Sequence, residues 1–84
     1  MTKTSIRRMS NVDHTTAIVW TGEHPDPIVA VQRAISAAKR LARLEAVMST
    51  GPYVWYLVLE SDVLVCWNSR SDPEIQQLVN DHRK

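Results

Sequence analysis

Apolar and polar positions along this chain follow two rhythms, one of period two and one of period 3.6. Residues 15–20, Thr-Thr-Ala-Ile-Val-Trp, are rich in β-branched side chains and run into Gly22, which predicts a strand. From Asp26 to Gly51 the apolar residues recur at helical spacing instead. Asp26 is placed to cap the first free N–H groups, and Pro27 sits where a missing N–H costs nothing. Ser49-Thr50-Gly51-Pro52 supplies the stop. The helix so defined is roughly 34 Å long. Its apolar arc of roughly 200° includes Ile28, Ile35, Leu41 and Leu44 and suits a helix lying largely on a sheet. The centre of that arc is mostly alanine, which lets the axis sit close to what it covers.

Residues 53–60 and Val63–Asn68 predict two more strands joined at Ser61-Asp62. A two-residue loop places Tyr56, Val58, Val65 and Trp67 on one face and Trp55, Leu57, Leu59, Leu64 and Cys66 on the other. Both faces are apolar, so this hairpin expects cover on two sides. Ser71-Asp72-Pro73-Glu74 repeats the helix start signal, and Ile75, Leu78, Val79 and His82 follow at helical spacing. This second helix, too short to be stable unless it docks, can cover part of the second sheet face. Residues 1–14 are polar and lightly basic, with Ile6, Met9 and Val12 as their only anchors. They read as a flexible N-terminal arm or an edge strand, the arm fitting better. Were they to pair, Asn11-Val12-Asp13 would be the turn.

The resulting expectation is a single small α+β domain over residues 15–84, β-α-β-β-α, with the long helix packed on a three-stranded, mostly antiparallel sheet. Eighty-four residues with 44% hydrophobic content suit one globular domain. Ten basic and nine acidic residues leave a formal charge of +1, too balanced for a bulk polyanion binder. A single cysteine, Cys66, excludes an internal disulfide framework and fits a reducing cytoplasm. No apolar run reaches the roughly 20 residues of a membrane span, and none follows the basic start as in a signal peptide.

Two surfaces are candidates for function. Arg33, Ser36, Arg40 and Arg43 line one side of the long helix, with Lys39 beside them. Such a row suits a solvated outer face best, and otherwise phosphates or an acidic protein surface. The helix's one carboxylate, Glu45, lies towards the apolar side, while Glu60, Asp62, Asp72 and Glu74 gather elsewhere in the chain. The second surface is aromatic: of three tryptophans and two tyrosines, four lie in or beside the hairpin strands. They read either as core, Trp55 against the first helix and Trp67 under the second, or as a patch around Tyr56 and Trp67 for a partner or a second copy. An enzyme is not expected. His14, His24 and His82 lack metal-ligand spacing, Cys66 sits mid-strand among apolar residues, and no glycine-rich phosphate loop exists. Neither a metal nor a cofactor is implied.

A strand, an Asp26-Pro27-started helix with Ala34, Ala37 and Ala38, then Gly51-Pro52-Tyr53-Val54 and Val63-Leu64-Val65, resembles small phage-encoded anti-CRISPR proteins of the β-α-β-β type. The likeness covers roughly residues 15–68 and is one of layout. It implies a non-enzymatic inhibitor in the bacterial cytoplasm that binds a CRISPR effector complex and blocks its work on target DNA. Some members of that group imitate DNA with acidic surfaces. The basic helix here departs from that pattern and implies occlusion of a protein surface instead. The alternative is a small nucleic-acid-binding or regulatory domain using Arg33, Lys39, Arg40 and Arg43. A monomer and a homodimer both stay open.

Overall fold

Residues 2–10, which are too polar for an obvious core strand, form the centre of the sheet. The computed structural model describes residues 1–10, 15–48, 54–61 and 63–82. The proposed turn at Asn11-Val12-Asp13, the helix stop at Ser49-Thr50-Gly51-Pro52, His14 and Tyr53 lie outside these residues. The elements are β1 (Thr2–Ser10), β2 (Thr16–His24), α1 (Pro27–Met48), β3 (Val54–Glu60), β4 (Val63–Asn68), a 3-10 turn (Ser69–Ser71) and α2 (Pro73–His82). Among the described residues the sheet has four strands in the order β2-β1-β3-β4, every neighbouring pair antiparallel. This is an α+β fold, with β-β-α-β-β-α in place of the expected β-α-β-β-α.

The arm expectation for the N-terminus is therefore corrected. β1 pairs with β2 on one side and β3 on the other, with Ile6 opposite Trp20 and Val58. The crossover through α1 does join two strands of the same direction, β2 and β3, but β1 lies between them. Its inward residues alternate as a strand requires, and two of the three are polar. Thr4 is buried and its hydroxyl donates to the Gly22 carbonyl at 3.4 Å. Ile6 is fully buried. Arg8 donates to Glu45 of α1 at 3.0 Å. Partnered polar groups can be enclosed at little cost, so the period-two signal was present without looking apolar.

β2 also runs beyond the stop expected at Gly22, pairing as far as His24 with Thr2. A Cβ at position 22 would overlap the ring of Trp20, so glycine leaves that indole room to lie along its own strand. The register shifts between Ile6 and Arg7, which leaves Val19 as an extra, bulged residue on β2.

Asp26 caps α1 as its position predicts, accepting from the Ile28 N–H at 2.9 Å. Ala34 and Ala38 are fully buried, and Ala30, Ala42 and Ala46 nearly so. This i, i+4 stripe is the centre of the helix's contact, with Ile35, Ala37 and Leu41 packed beside it, and the whole is narrower than the predicted arc. Ile28 and Leu44, at the margins of the arc, are 68% and 56% exposed. α2 docks beside α1 on the same side of the sheet, where Ile75 joins Ile6, Ala34, Ala38, Tyr56 and Val58 in one core. It does not cover the opposite face, as had been expected. The two short apolar faces of the hairpin are consequently unequal. The one carrying Val58 is covered, and among the described residues no helix lies over the other. There Trp55 faces away from α1, under the Arg70 guanidinium at 5.5 Å, so it does not pack on the first helix.

β4 ends by turning into the 3-10 segment. Its regular pairing with β3 shifts between Leu57 and Leu59, and the buried Ser69 hydroxyl takes the Tyr56 N–H at 2.8 Å in place of a strand carbonyl. That bond satisfies a backbone donor that the shifted ladder would leave buried and bare.

Candidate functional site

The four helix cations separate into two pairs once α2 docks. Lys39 Nζ lies 3.9 Å from Asp72, and Arg43 lies 2.6 Å from Glu74. The acids that sit far from the helix in sequence are thus brought beside it. The reason is local: Asp72 and Glu74 open α2, where carboxylates satisfy free N–H groups and meet the positive end of the helix. The expected one-signed face is corrected accordingly. Its positive field is confined to Arg33 and Arg40, both exposed and neither in an ion pair among the described residues.

Asp72 does three things at once. Its Oδ1 accepts from the Glu74 N–H at 3.0 Å and the Ile75 N–H at 3.4 Å, while Oδ2 accepts from the Trp67 indole N–H at 3.0 Å. The Trp67 bond is the largest reason that its carboxyl is held below the usual range, with backbone donors and Lys39 adding to it against the cost of burial. A lowered folded pKa contributes stability above the unfolded value of about 3.9, and that contribution is lost as pH falls through the folded pKa. Asp72→Asn should therefore cost about 1–2 kcal/mol at pH 7. In urea denaturation the gap to the parent should narrow at pH 3. A gap that stays constant between the two pH values would remove the charge from this account.

Tyr56 and Trp67 both point inward. Tyr56 is only 5% exposed, and burial, then the nearby Glu45 charge, pushes its hydroxyl above its ordinary pKa. Glu45 in turn raises the Arg8 guanidinium by hydrogen bonding. Trp67 packs half-buried against the core, its indole tied to Asp72. The aromatic patch proposed around these two is not presented to solvent.

A different surface is open. A groove of about 470 Å³ runs between β2 and α1. Val19 and Trp20 form its sheet wall, and Val29, Arg33, Arg40 and Leu41 its helix wall. Ser36 and Ala37, small residues midway between the two arginines, leave its centre wide. Arg33 and Arg40 thus belong to a site with an apolar floor, while Lys39 and Arg43 belong to the α1–α2 contact. No family model, curated protein or solved structure matches the chain.

The groove was hidden from sequence reasoning because Trp20 and Val19 read only as strand residues. The seven-residue spacing of Arg33 and Arg40 around Ser36 and Ala37 was visible. That β2 is an outer strand could not be read without knowing that β1 lies inside it. The far edge, β4, is open too: Val63, Leu64 and Val65 are 63%, 51% and 40% exposed. Among the described residues, no group of three or more His, Cys, Asp or Glu is placed to hold a metal, and no helix is long and apolar enough to cross a membrane.

Proposed function

We propose that this chain is a small non-enzymatic protein-binding module that works by covering a surface of its partner. One observation carries the reading: both outer strands offer apolar edges with little to guard them. On β2, Ile18 and Val19 are 52% and 41% exposed, and on β4 the run 63–65 is exposed and uncharged. Solitary domains blunt such edges with charge, proline or cover, because a bare edge pairs with other chains. Among the described residues β2 has only modest blunting, a bulge at Val19 and the charge of Glu23, which Lys3 pairs.

The narrower form of the proposal is a phage or mobile-element inhibitor of a bacterial CRISPR-Cas effector complex, acting in the host cytoplasm on a surface needed for target DNA binding. Its support is the resemblance in layout over residues 15–68. The nucleic-acid alternative has less support, since Lys39 and Arg43 are already paired with carboxylates.

The test is target-DNA binding by purified effector complexes with and without the chain, followed by mobility shift. Inhibition at near-equal stoichiometry, lost with Arg33→Glu/Arg40→Glu or with Leu64→Lys, is the expected result. Effectors that bind DNA undisturbed would overturn the inhibitor reading. Direct, salt-sensitive binding of the chain to DNA would favour the alternative.

A further inference from the structure

We infer that the β2–α1 groove receives an extended acidic segment of another protein, carrying an apolar side chain between two carboxylates. This rests on the protein-binding reading above and names the chemistry of the partner.

β2 hydrogen-bonds only to β1 within the sheet, so its outward N–H and C=O groups are unused by any described strand. An added strand would lie about 4.8 Å outside β2, beside the groove that Arg33 and Arg40 line. The bulge at Val19 interrupts the edge, so the regular pairing falls on the stretch 20–23, which has no proline.

Charge selects the occupant. Lys3, Arg8, Lys39 and Arg43 each have a carboxylate partner. Arg33 and Arg40 have none among the described residues, and both line the groove. Being seven residues apart on one helix, they are separated by about 10 Å along its axis and share a face. Same-side residues of an extended segment recur about every 6.7 Å, so positions four apart span about 13 Å. The flexible arginine arms make up the difference. Carboxylates at those two positions leave one same-side residue between them. It falls opposite Ser36 and Ala37, where the groove is wide, against the apolar sheet wall of Val19 and Trp20. An apolar side chain fits there. The recognised pattern is acid-x-apolar-x-acid, with guanidinium–carboxylate pairs fixing the register.

The probe is a labelled, end-capped nine-residue peptide with a threonine background, glutamates at its third and seventh positions and isoleucine at its fifth. It is titrated into the full chain by fluorescence anisotropy, with amide chemical shifts as the map. Saturable binding is expected, with shifts at residues 19–23 and 33–41. Arg33→Glu/Arg40→Glu should weaken it tenfold or more, and a lysine-for-glutamate peptide should recover binding to that variant. Leu64→Lys should leave it unchanged. Absence of saturable binding to the folded chain would overturn the inference. So would shifts centred on β4, indifference to charge reversal, or displacement by a single-stranded oligonucleotide at lower concentration. If an effector complex is inhibited and Leu64→Lys alone abolishes that inhibition, the protein-binding reading stands and this site falls. If the peptide binds as described and no effector is inhibited, the site stands and the inhibitor reading falls.

Discussion

Ile6→Ala should cost this domain about 2–5 kcal/mol, the range for removing a fully buried isoleucine side chain. Ile6 is 0% exposed, lies between Trp20 and Val58 in the sheet and sits under the alanine line of α1. A domain of 84 residues has roughly 4–13 kcal/mol of stability in total, so this single change consumes a large part of it. Lys3→Ala, on the exposed side of the same strand, should stay within about 0.5 kcal/mol. Urea denaturation of both variants checks the claim. Equal, near-zero effects would return residues 2–10 to the status of an arm.

The second large effect is expected in the opposite direction of volume. Ala38→Leu should cost about 3 kcal/mol, at the upper end of overpacking effects. Ala38 is 0% exposed in the middle of the Ala30–Ala34–Ala38–Ala42–Ala46 stripe, which sets how closely α1 approaches β1 and β3. A leucine there must either push the helix outward along its length or adopt a strained rotamer. The same substitution at exposed Ser36 should change the thermal midpoint little. Comparable losses at both positions would show that side-chain identity, and not the packing line, governs the helix.

The long helix was legible because its signals are local. Asp26, Pro27 and the alanine spacing act within a few residues of where they are read, and the capped helix follows from them. The start of the hairpin was legible for the same reason: Leu59 pairs with Leu64 and Glu60 with Val63, and the ladder departs from that register only beyond Leu59, where it shifts towards Asn68. β1 was not, because its inward positions are Thr4, Ile6 and Arg8, and their partners Gly22, Glu45 and Val58 are distant in sequence. Only tertiary pairing lets the threonine be buried and the arginine half-buried there. The candidate site suffered from the same dependence. Arg33 and Arg40 differ from Lys39 and Arg43 in facing the β2 groove and in lacking the carboxylates that α2 brings to the other two, and both are tertiary facts. Trp20 joins the site because β1, not another strand, occupies its inner side.

The inner position of β1 is what leaves β2 as an open edge beside Arg33 and Arg40. Native-state amide hydrogen exchange measures this directly. Amides of residues 4–8 should exchange only through global unfolding, among the slowest in the chain, while the outward amides of β2 and β4 exchange quickly. Fast exchange throughout residues 4–8, with β2 amides protected on both sides, would contradict both the sheet order and the groove built on it.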